Sequence, residues 1–505
     1  MINLLLLIPL IGSLLILFVK EENTSKYFKD IKLGRKLSDI FPFLFDNNYI
    51  IKDIALITSL INLFISLFIW FNFDFSTNNY QFVSEWSALN FLNFTFGIDG
   101  ISIYFVLLTT FVTPIAILSN YHNINENTKL FFTSFLILET LQICVFVSLD
   151  LLLFYIFFES VLPVIFVIIL IFGHGMDKFR SAFLFFLYTL DGSLPMLLSI
   201  LVIYSYFGST DFQIISLKEI SLESQKVLWI GFFLALAAKT PLYPVTIWLP
   251  KAHSDSPLAG SVILAGTILK LATYGYLRVL INILPDATHY FTPIVLTICI
   301  ISIVYASLST IIQQDTKKLI AYSSIAHMGV VVLGIFSNTV PGIEGAILLG
   351  IAHGFVSPAL FIMVGGVIYD RVHTRIINYI RGLVTYMPVS TLFFFLFTLA
   401  NIGTPLSLNY LGEQLSLIGI FERNPIIAVL GATSIVLSAC YSIYLYNRLS
   451  YGVYSPHLEP VKDLNRREFN ILLALLIPTI FFGIKPGIIL DSLHITCSYL
   501  LYSVV

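Results

Sequence analysis

Apolar runs of about twenty residues recur along almost the whole chain, and no other sequence feature limits its fold so strongly. An α-helix rises about 1.5 Å per residue, so about 20 apolar residues cover the hydrocarbon core of a bilayer. The 505-residue chain is 57% hydrophobic and 11% charged. Soluble domains carry about 25% charged residues, so this chain lacks the polar surface that they need. The sequence predicts an all-α integral membrane protein.

About fourteen segments are long and apolar enough to cross the membrane. Met1 leads straight into the first apolar run without the basic segment of a signal peptide, so this run is predicted as the first span. The polar stretch 208–226 is predicted to lie at the membrane surface. The predicted spans lie near residues 2–18, 54–72, 100–119, 130–148, 150–172, 181–207, 227–248, 259–281, 291–312, 318–338, 344–369, 385–421, 426–447 and 469–488.

The basic residues indicate how the chain is oriented. Twenty of the 27 Lys and Arg residues fall in loops on one side, five fall on the other, and Lys239 and Lys270 lie inside spans. Such an asymmetry marks the side from which a membrane protein is inserted. It predicts an even number of spans, with both termini on the side that is poor in basic residues.

Charge and cysteine usage exclude several classes of partner and cofactor. A net charge of −2 leaves no basic face that could neutralise phosphates, so nucleic acid is not expected as a partner. No CxxC pair appears, so iron–sulfur, zinc and disulfide frameworks lack their ligand spacing. The cysteines are predicted to be apolar packing residues: Cys144, Cys299, Cys440 and Cys497.

A few ionisable side chains interrupt the apolar runs, and they are the candidates for function. A charge at the membrane centre costs about 2.5–3.5 kcal/mol on insertion scales, so each one suggests a role. These residues are Glu139, Glu159, Asp191, Lys239, Lys270, His327, His353 and Glu413. A Glu159–Lys239 pair whose separation changes would load and release a proton on the lysine, whereas a fixed pair would only join two helices. The sequence leaves both interpretations open.

Proline breaks two of the predicted helices beside these charges. Pro241 follows Lys239, and Pro405 precedes Glu413 in LANIGTPLSLNYLGEQLSL. Broken helices in corresponding halves of a chain indicate a binding site between inverted repeats. The predicted division is 1–128 for the first three spans, 129–285 and 286–447 for two five-span repeats (spans 4–8 and 9–13), and 448–505 for the last loop and span.

Lys270, His327 and His353 lie on three further spans. Histidine gives and takes protons near neutral pH, and hydroxyl groups at Tyr322, Ser323, Ser324 and Ser357 lie close by in sequence. A lone buried histidine is more often a packing residue, but two of them near these hydroxyls favour a relay. Haem ligation is the rival interpretation, and it lacks a second histidine pair.

Four long strings identify a family. FYIFFESVLP, KTPLYPVTIWLPKAHSDSPLAGSVILAGTILKLATYG, DTKKLIAYSSIAHMG and IAHGFVSPALF, the last followed by GGVIYDRVHTR, resemble the chain 4 family of mitochondrial NADH:ubiquinone oxidoreductase (respiratory complex I). The resemblance runs from about residue 90 to the C-terminus. It implies an antiporter-like membrane fold of fourteen helices with two inverted five-helix repeats, in which helices 7 and 12 are broken.

The resemblance also implies roles for individual residues. Glu159 and Lys239 correspond to the coupled pair of the first half-channel, and Lys270 to the bridging lysine of a central hydrophilic axis. His327 corresponds to a relay and Glu413 to the terminal proton site. Supporting positions are Glu139, His353, Asp191, Pro241 and Pro405. Asp191 departs from the family, which is usually apolar there, and suggests either an extra hydration site or a pair with a neighbouring subunit.

The implied function is proton translocation across the mitochondrial inner membrane, driven by quinone reduction elsewhere in the complex. No redox centre or catalytic chemistry is expected in this chain, because NADH, FMN, iron–sulfur clusters and ubiquinone are used by other subunits. The expected partners are other membrane-arm subunits, with the antiporter-like chains 2 and 5 adjacent, and lipids such as cardiolipin. The basic side would be the matrix, and both termini would face the intermembrane space. A subunit of an Mrp-type cation/proton antiporter and a purely structural scaffold are the alternatives.

Overall fold

The computed structural model describes residues 1–19, 47–89, 92–456 and 458–502, and within them the chain is a bundle of apolar helices. Short helical turns at Phe212–Ser216, Ile377–Tyr379 and Leu383–Thr385 lie between the longer helices. The longer helices are α1 (Ile2–Phe18), α2 (Asn47–Phe71), α3 (Ser102–Ser119), α4 (Thr128–Val147), α5 (Leu151–Phe172), α6 (Lys178–Phe207), α7 (Leu222–Lys239), α8 (Trp248–Asp255), α9 (Leu258–Ile281), α10 (Pro285–Ile312), α11 (Thr316–Ile335), α12 (Val340–Val372), α13 (Pro388–Ile402), α14 (Leu408–Arg423), α15 (Pro425–Ser450), α16 (Arg466–Ile484) and α17 (Gly487–Tyr502).

The helices agree with the predicted membrane class. Eleven helices in the described ranges are long and apolar enough to cross a membrane, and each predicted span contains a helix. The predicted spans 227–248 and 385–421 each contain a break, as their prolines indicated. The count of fourteen and the two repeats stay predictions. The basic loop residues between 20 and 46, which contributed to the predicted orientation, lie outside the described residues.

A two-stranded antiparallel hairpin follows α2, and the sequence analysis did not foresee it. Its strands are β1 (Gln81–Leu89) and β2 (Leu92–Ile98). Just after β2, the buried Asp99 carboxylate pairs with the Arg278 guanidinium of α9, which also donates a hydrogen bond of 3.0 Å to the Tyr80 hydroxyl. The ion pair therefore joins the hairpin region to the end of a central helix.

Two helices form the centre of the bundle. The most apolar stretches of α9 and α12 are 100% buried, whereas only 33% of the corresponding stretch of α6 is buried. Glycines allow the close packing: a Cβ on Gly266 would lie 2.9 Å from Val112, and a Cβ on Gly354 would lie 2.7 Å from Leu108. Small residues let backbones approach where no hydrophobic force acts between helices in lipid. Side chains on α9 and α12 are consequently shielded from the surrounding lipid.

Hydrogen bonds satisfy backbone carbonyls at the first helix break, and a glycine shapes the second. After α7 ends at Lys239, the Leu242 N–H donates to the Ala237 carbonyl at 3.0 Å, and the Trp248 indole N–H donates to the Ala238 carbonyl at 2.9 Å. The second break follows Gly403, whose φ of +78° is left-handed and so favours glycine. A Cβ there would lie 2.8 Å from Glu413 Oε2, so this glycine also makes room for a buried carboxylate.

A buried ion pair joins α12 to α16. The Arg371 guanidinium donates to the Glu468 carboxylate at 2.7 and 3.3 Å, and both side chains are nearly buried. We expect Glu468→Ala to lower the free energy of unfolding by about 3 kcal/mol, because the mutation leaves a buried guanidinium without its counter-charge. The midpoint of thermal denaturation of the purified complex measures this effect. The exposed Glu459→Ala is the control, and equal midpoints for the two variants would contradict the prediction.

Candidate functional site

Four ionisable side chains from four helices meet at the centre of the bundle. Lys270 Nζ lies 2.9 Å from His353 Nδ1, and His327 Nδ1 lies 3.0 Å from Glu413 Oε1. The two imidazole rings stand between these contacts, with 5.9 Å between their centroids. The four residues form a continuous series, which we call the central series: Lys270, His353, His327 and Glu413.

The fold holds the central series away from solvent. Lys270 is on α9, His353 on α12, His327 on α11 and Glu413 on α14, and each residue is at most 3% exposed. The Lys270 amine also donates to the Ala265 carbonyl at 2.6 Å, and Ala265 lies in a π-helical turn that ends just before Lys270. Such turns are frequent at functional sites. Because of this burial, a proton bound to any residue of the central series is shielded from bulk water.

The hydrogen bonds leave one nitrogen free on each ring. His353 uses Nδ1 toward Lys270, and His327 uses Nδ1 toward Glu413. Nε2 of either ring has no hydrogen-bond partner within the described chain. A neutral imidazole accepts a proton on one nitrogen and releases one from the other. The two free nitrogens are therefore the atoms that would pass a proton between the rings.

Glu159 and Lys239 form a second group, on α5 and α7. Lys239 Nζ donates to the Phe158 carbonyl at 2.6 Å and lies 3.3 Å from the centre of the Phe158 ring. Glu159 and Lys239 interact electrostatically, but no N···O distance between them is within 4.0 Å. Neither oxygen of Glu159 has a hydrogen-bond partner among the residues that the structure describes. The two charges are thus neighbours that are not locked together by a direct ion pair.

One hydrogen bond ties the first helix break to the helix that carries Lys270. The Thr240 and Tyr276 hydroxyls lie 2.8 Å apart, and Tyr276 is on α9. Thr240 directly follows Lys239, so a displacement of the broken helix would be transmitted to α9 through this hydrogen bond. This contact provides a physical link between the Glu159–Lys239 group and the central series.

The other supporting residues predicted from the sequence lie in different parts of the bundle. Glu139 is fully buried on α4, where one oxygen accepts a 2.7 Å hydrogen bond from Asn62, and within the described residues no hydrogen bond joins it to the central series. Pro241 and Pro405 lie in the two helix breaks. Asp191 lies on the exposed face of α6 and takes no part in either group.

Two further buried basic side chains were not among the residues predicted from the sequence. His253 on α8 is fully buried, stacks on the Phe361 ring with 4.6 Å between centroids, and has no partner on either ring nitrogen in the described part of the chain. Lys317, at the start of α11, donates to the Ser256 carbonyl at 2.8 Å. The available signal for His253 was its place on a helix too short to span, directly after the first break.

The loop between α5 and α6 lies beside a cationic region. The His174 backbone N–H donates to the Asp255 carbonyl at 2.8 Å. Burial lowers the pKa of His174, and the positive charges of Lys317 and Arg375 lower it further. At neutral pH this histidine is therefore uncharged. The described residues contain no group of three or more His, Cys, Asp or Glu side chains arranged to hold a metal ion.

Comparison with known proteins gives consistent matches. Residues 148–438 match the family described as NADH:quinone oxidoreductase/Mrp antiporter, TM. The chain is 57% identical to the NADH-ubiquinone oxidoreductase chain 4 of Mycosarcoma maydis over 100% of both chains. It is 46% identical to the protein of the same name from Arabidopsis thaliana, over 98% of this chain and 96% of the plant chain.

Solved structures extend the match to the fold. A chain of respiratory complex I from Thermus thermophilus superposes with a TM-score of 0.86 at 26% identity, and the match covers 99% of each chain. A chain of the Mrp complex from Dietzia sp. DQ12-45-1b superposes with a TM-score of 0.82 at 15% identity, over 99% of this chain and 97% of that one. At that identity the second likeness concerns the fold alone.

Proposed function

Because the chain belongs to the NADH-ubiquinone oxidoreductase chain 4 family, we propose that its central series is the proton path of an antiporter-like, proton-pumping subunit of complex I. The observation that carries the proposal is the continuous contact from Lys270 through His353 and His327 to Glu413. The chain is a multi-pass protein of the mitochondrial inner membrane and a subunit of the oxidoreductase. The proton-transfer steps between the individual residues of this chain are what we propose.

The proton path follows from the hydrogen bonds at the two ends of the central series and from the nitrogens of the two rings that are unpaired within the described residues. The Lys270 ammonium gives a proton to His353 Nδ1, and His353 releases its other proton from Nε2. His327 accepts at Nε2 and gives up the proton on Nδ1 to Glu413 Oε1. Each step uses a nitrogen that either contacts its partner or is free. Water between the rings would supply the remaining hydrogen bonds.

The Glu159–Lys239 group loads this series. When Glu159 moves toward Lys239 the ammonium form is stabilised, and when it withdraws the lysine releases its proton toward Lys270. The absence of a direct ion pair between these two described residues leaves room for that movement. The break after Lys239 and the Thr240–Tyr276 contact would carry the motion to α9.

Energy for the movement must come from outside the chain. Moving one charge against the membrane potential costs about 2.3 kcal/mol per 100 mV. We propose that quinone reduction in other subunits supplies it, and that NADH, FMN, the iron–sulfur clusters and ubiquinone are bound there and not by this chain. Chains 2 and 5 are the proposed neighbours and cardiolipin a proposed lipid ligand. Both termini are proposed to face the intermembrane space.

Removing one relay side chain tests the proposal. We expect His353→Leu to lower NADH:ubiquinone activity about tenfold, because leucine fills the space but carries no proton, and a lost relay is worth at least about 1.4 kcal/mol of barrier. The number of protons pumped per electron should fall as well. Purified complex in sealed liposomes, with a pH-sensitive dye, measures both quantities. The exposed His289→Gln is the control, and an unchanged proton-to-electron ratio in His353→Leu would refute the path.

An Mrp-type cation/proton antiporter subunit is the second candidate, and the fold shared with the Mrp chain favours it. Liposomes that contain the purified complex, assayed with and without NADH, discriminate between the two. Sodium-dependent proton exchange in them would favour the antiporter. Proton pumping that needs NADH and ubiquinone, and that is insensitive to sodium, would favour the complex I subunit.

A further inference from the structure

Asp191 is exposed near the middle of an apolar helix. The 30-residue helix α6 begins at Lys178 and ends at Phe207, so Asp191 lies about 20 Å from the nearer end at about 1.5 Å per residue. Within the described parts of the chain, its carboxylate forms no hydrogen bond or ion pair. A lone acidic group facing hydrocarbon at that depth is unfavourable. The surface around it is therefore incomplete in the isolated chain.

The surroundings of Asp191 form an apolar docking face. Leu187, Leu194 and Leu198 are 56%, 50% and 65% exposed, and they lie one or two helical turns from Asp191 on the same side of α6. The face continues into a groove of about 540 Å³ between α6 and α7, lined mainly by Pro195, Leu198, Val202, Val227 and Leu234. We call this surface, from Leu187 to the groove, the α6 face.

The opposite side of α6 packs inward. Ser193 is fully buried, and a Cβ on Gly192 would lie 2.7 Å from the Ala238 side chain of α7. Two residues along a helix correspond to a rotation of about 200°, so Asp191 points away from Ser193. The carboxylate therefore cannot be assigned to the Glu159–Lys239 group, and its partner must come from outside the chain.

We propose that a transmembrane helix of a different subunit covers the α6 face and places a lysine or arginine side chain against Asp191. Charge complementarity supports this assignment. One buried carboxylate within an apolar surface calls for one cation at the same depth, and the groove beside it has space for apolar side chains of the same helix. The proposal rests on the chain being a membrane subunit and does not depend on the central series.

Lipid and a second copy of the chain do not meet this requirement. The cationic head groups of phospholipids stay at the membrane surface, about 20 Å from Asp191, and acyl chains carry no charge. A second copy that packs through the same face in the same orientation would set Asp191 against Asp191. The cations of α6 itself, Lys178 and Arg180, lie at its end. A helix from another polypeptide is the occupant that brings a cation to the right depth.

Labelling with dicyclohexylcarbodiimide tests the proposal on the natural complex. This apolar reagent reacts with carboxyl groups that are reachable from the membrane. Mass spectrometry would quantify the adduct on Asp191 in the intact complex and after detergent has separated its subunits. We expect labelling to be at least about tenfold lower in the intact complex, as for a carboxylate whose partner is worth about 1.4 kcal/mol or more. Equal labelling before and after separation would overturn the proposal.

Two substitutions provide an independent test. They change the retention of this chain in the complex in opposite directions, depending on whether a cation or lipid faces Asp191. If a cation faces Asp191, Asp191→Leu leaves it unpaired, and the share of this chain retained in the complex after mild detergent should fall about tenfold. If lipid faces it, the same change removes a cost, and retention should stay equal or rise. Leu308→Val, at an exposed position of α10 outside the α6 face, is the control. Asp191→Asn should lie between, since the amide still accepts a hydrogen bond. Retention of Asp191→Leu at the level of the control would also overturn the proposal.

Discussion

Lys239→Ala is expected to lower proton-coupled NADH:ubiquinone activity at least about tenfold, and it should lower the protons pumped per electron. Alanine removes the only amine at the end of α7 and leaves Glu159 without its electrostatic neighbour. Proton loading of the central series would then lack its donor. The measurement is steady-state NADH oxidation together with dye-monitored acidification of sealed liposomes.

A second substitution at the same position separates a proton carrier from a fixed charge. Arginine keeps the positive charge but does not release its proton in proteins. If Lys239 only stabilises two helices by its charge, Lys239→Arg should retain most of the activity. If Lys239 gives up a proton in each cycle, the arginine variant should be as impaired as Lys239→Ala. The second outcome is the one we expect.

The other end of the same helix provides a matched control. Lys226 forms an ion pair of 3.1 Å with Glu223, whose side chain is 85% exposed. Such surface pairs are worth about 0–1 kcal/mol. Lys226→Ala should therefore pump normally in the same assay. A Lys239→Ala complex that pumps as well as the Lys226→Ala complex would show that the buried amine is not part of the path.

Glu413→Gln is the second substitution with a large expected effect. Glutamine keeps the length of the side chain and a hydrogen bond with His327 Nδ1, but it cannot take up a proton. The series would end without an acceptor, so proton pumping should fall at least about tenfold while the fold is retained. Pumping per electron and the amount of assembled complex on a native gel measure the two effects separately.

Comparison with Glu413→Ala and with a surface glutamate completes this test. The alanine variant should lose pumping to the same degree but should also assemble less well, because His327 loses its hydrogen-bond partner. Glu422, exposed near the end of the same helix α14, gives the control variant Glu422→Gln. Normal pumping by Glu413→Gln would place the end of the path elsewhere.

The candidate residues of the site were recognisable in the sequence, but the place of His353 among them was not. Charges and histidines within apolar runs are conspicuous, so Lys270, His327 and Glu413 could be named from their positions alone. His353 was predicted only as a supporting residue, yet it is the direct neighbour of Lys270. The two residues are 83 positions apart. The sequence shows how deep each residue lies along its own helix, but it does not show which way the side chain points or which residues surround it.

Asp191 illustrates the same limit. Its depth in the membrane follows from counting residues along α6, but the helix is apolar on nearly every side, so no amphipathic pattern indicates which way a residue points. The structure places Ser193 inside and Asp191 outside. That difference favours the predicted pair with a neighbouring subunit over the predicted extra hydration site. His253 was overlooked because a short polar helix after a break resembles a loop in the sequence.

The sequence by itself determined the membrane class, the approximate spans and the two broken helices. These follow from local quantities: the transfer free energy of each run of about twenty residues, and the inability of proline to continue a helix. Only the tertiary structure decided the place of His353 in the central series, the separation of Glu159 from Lys239 and the outward direction of Asp191. Helices in lipid associate through close packing of their surfaces and through polar contacts between segments that are distant in sequence. The hydrophobicity pattern along the chain does not predict which surfaces pack together.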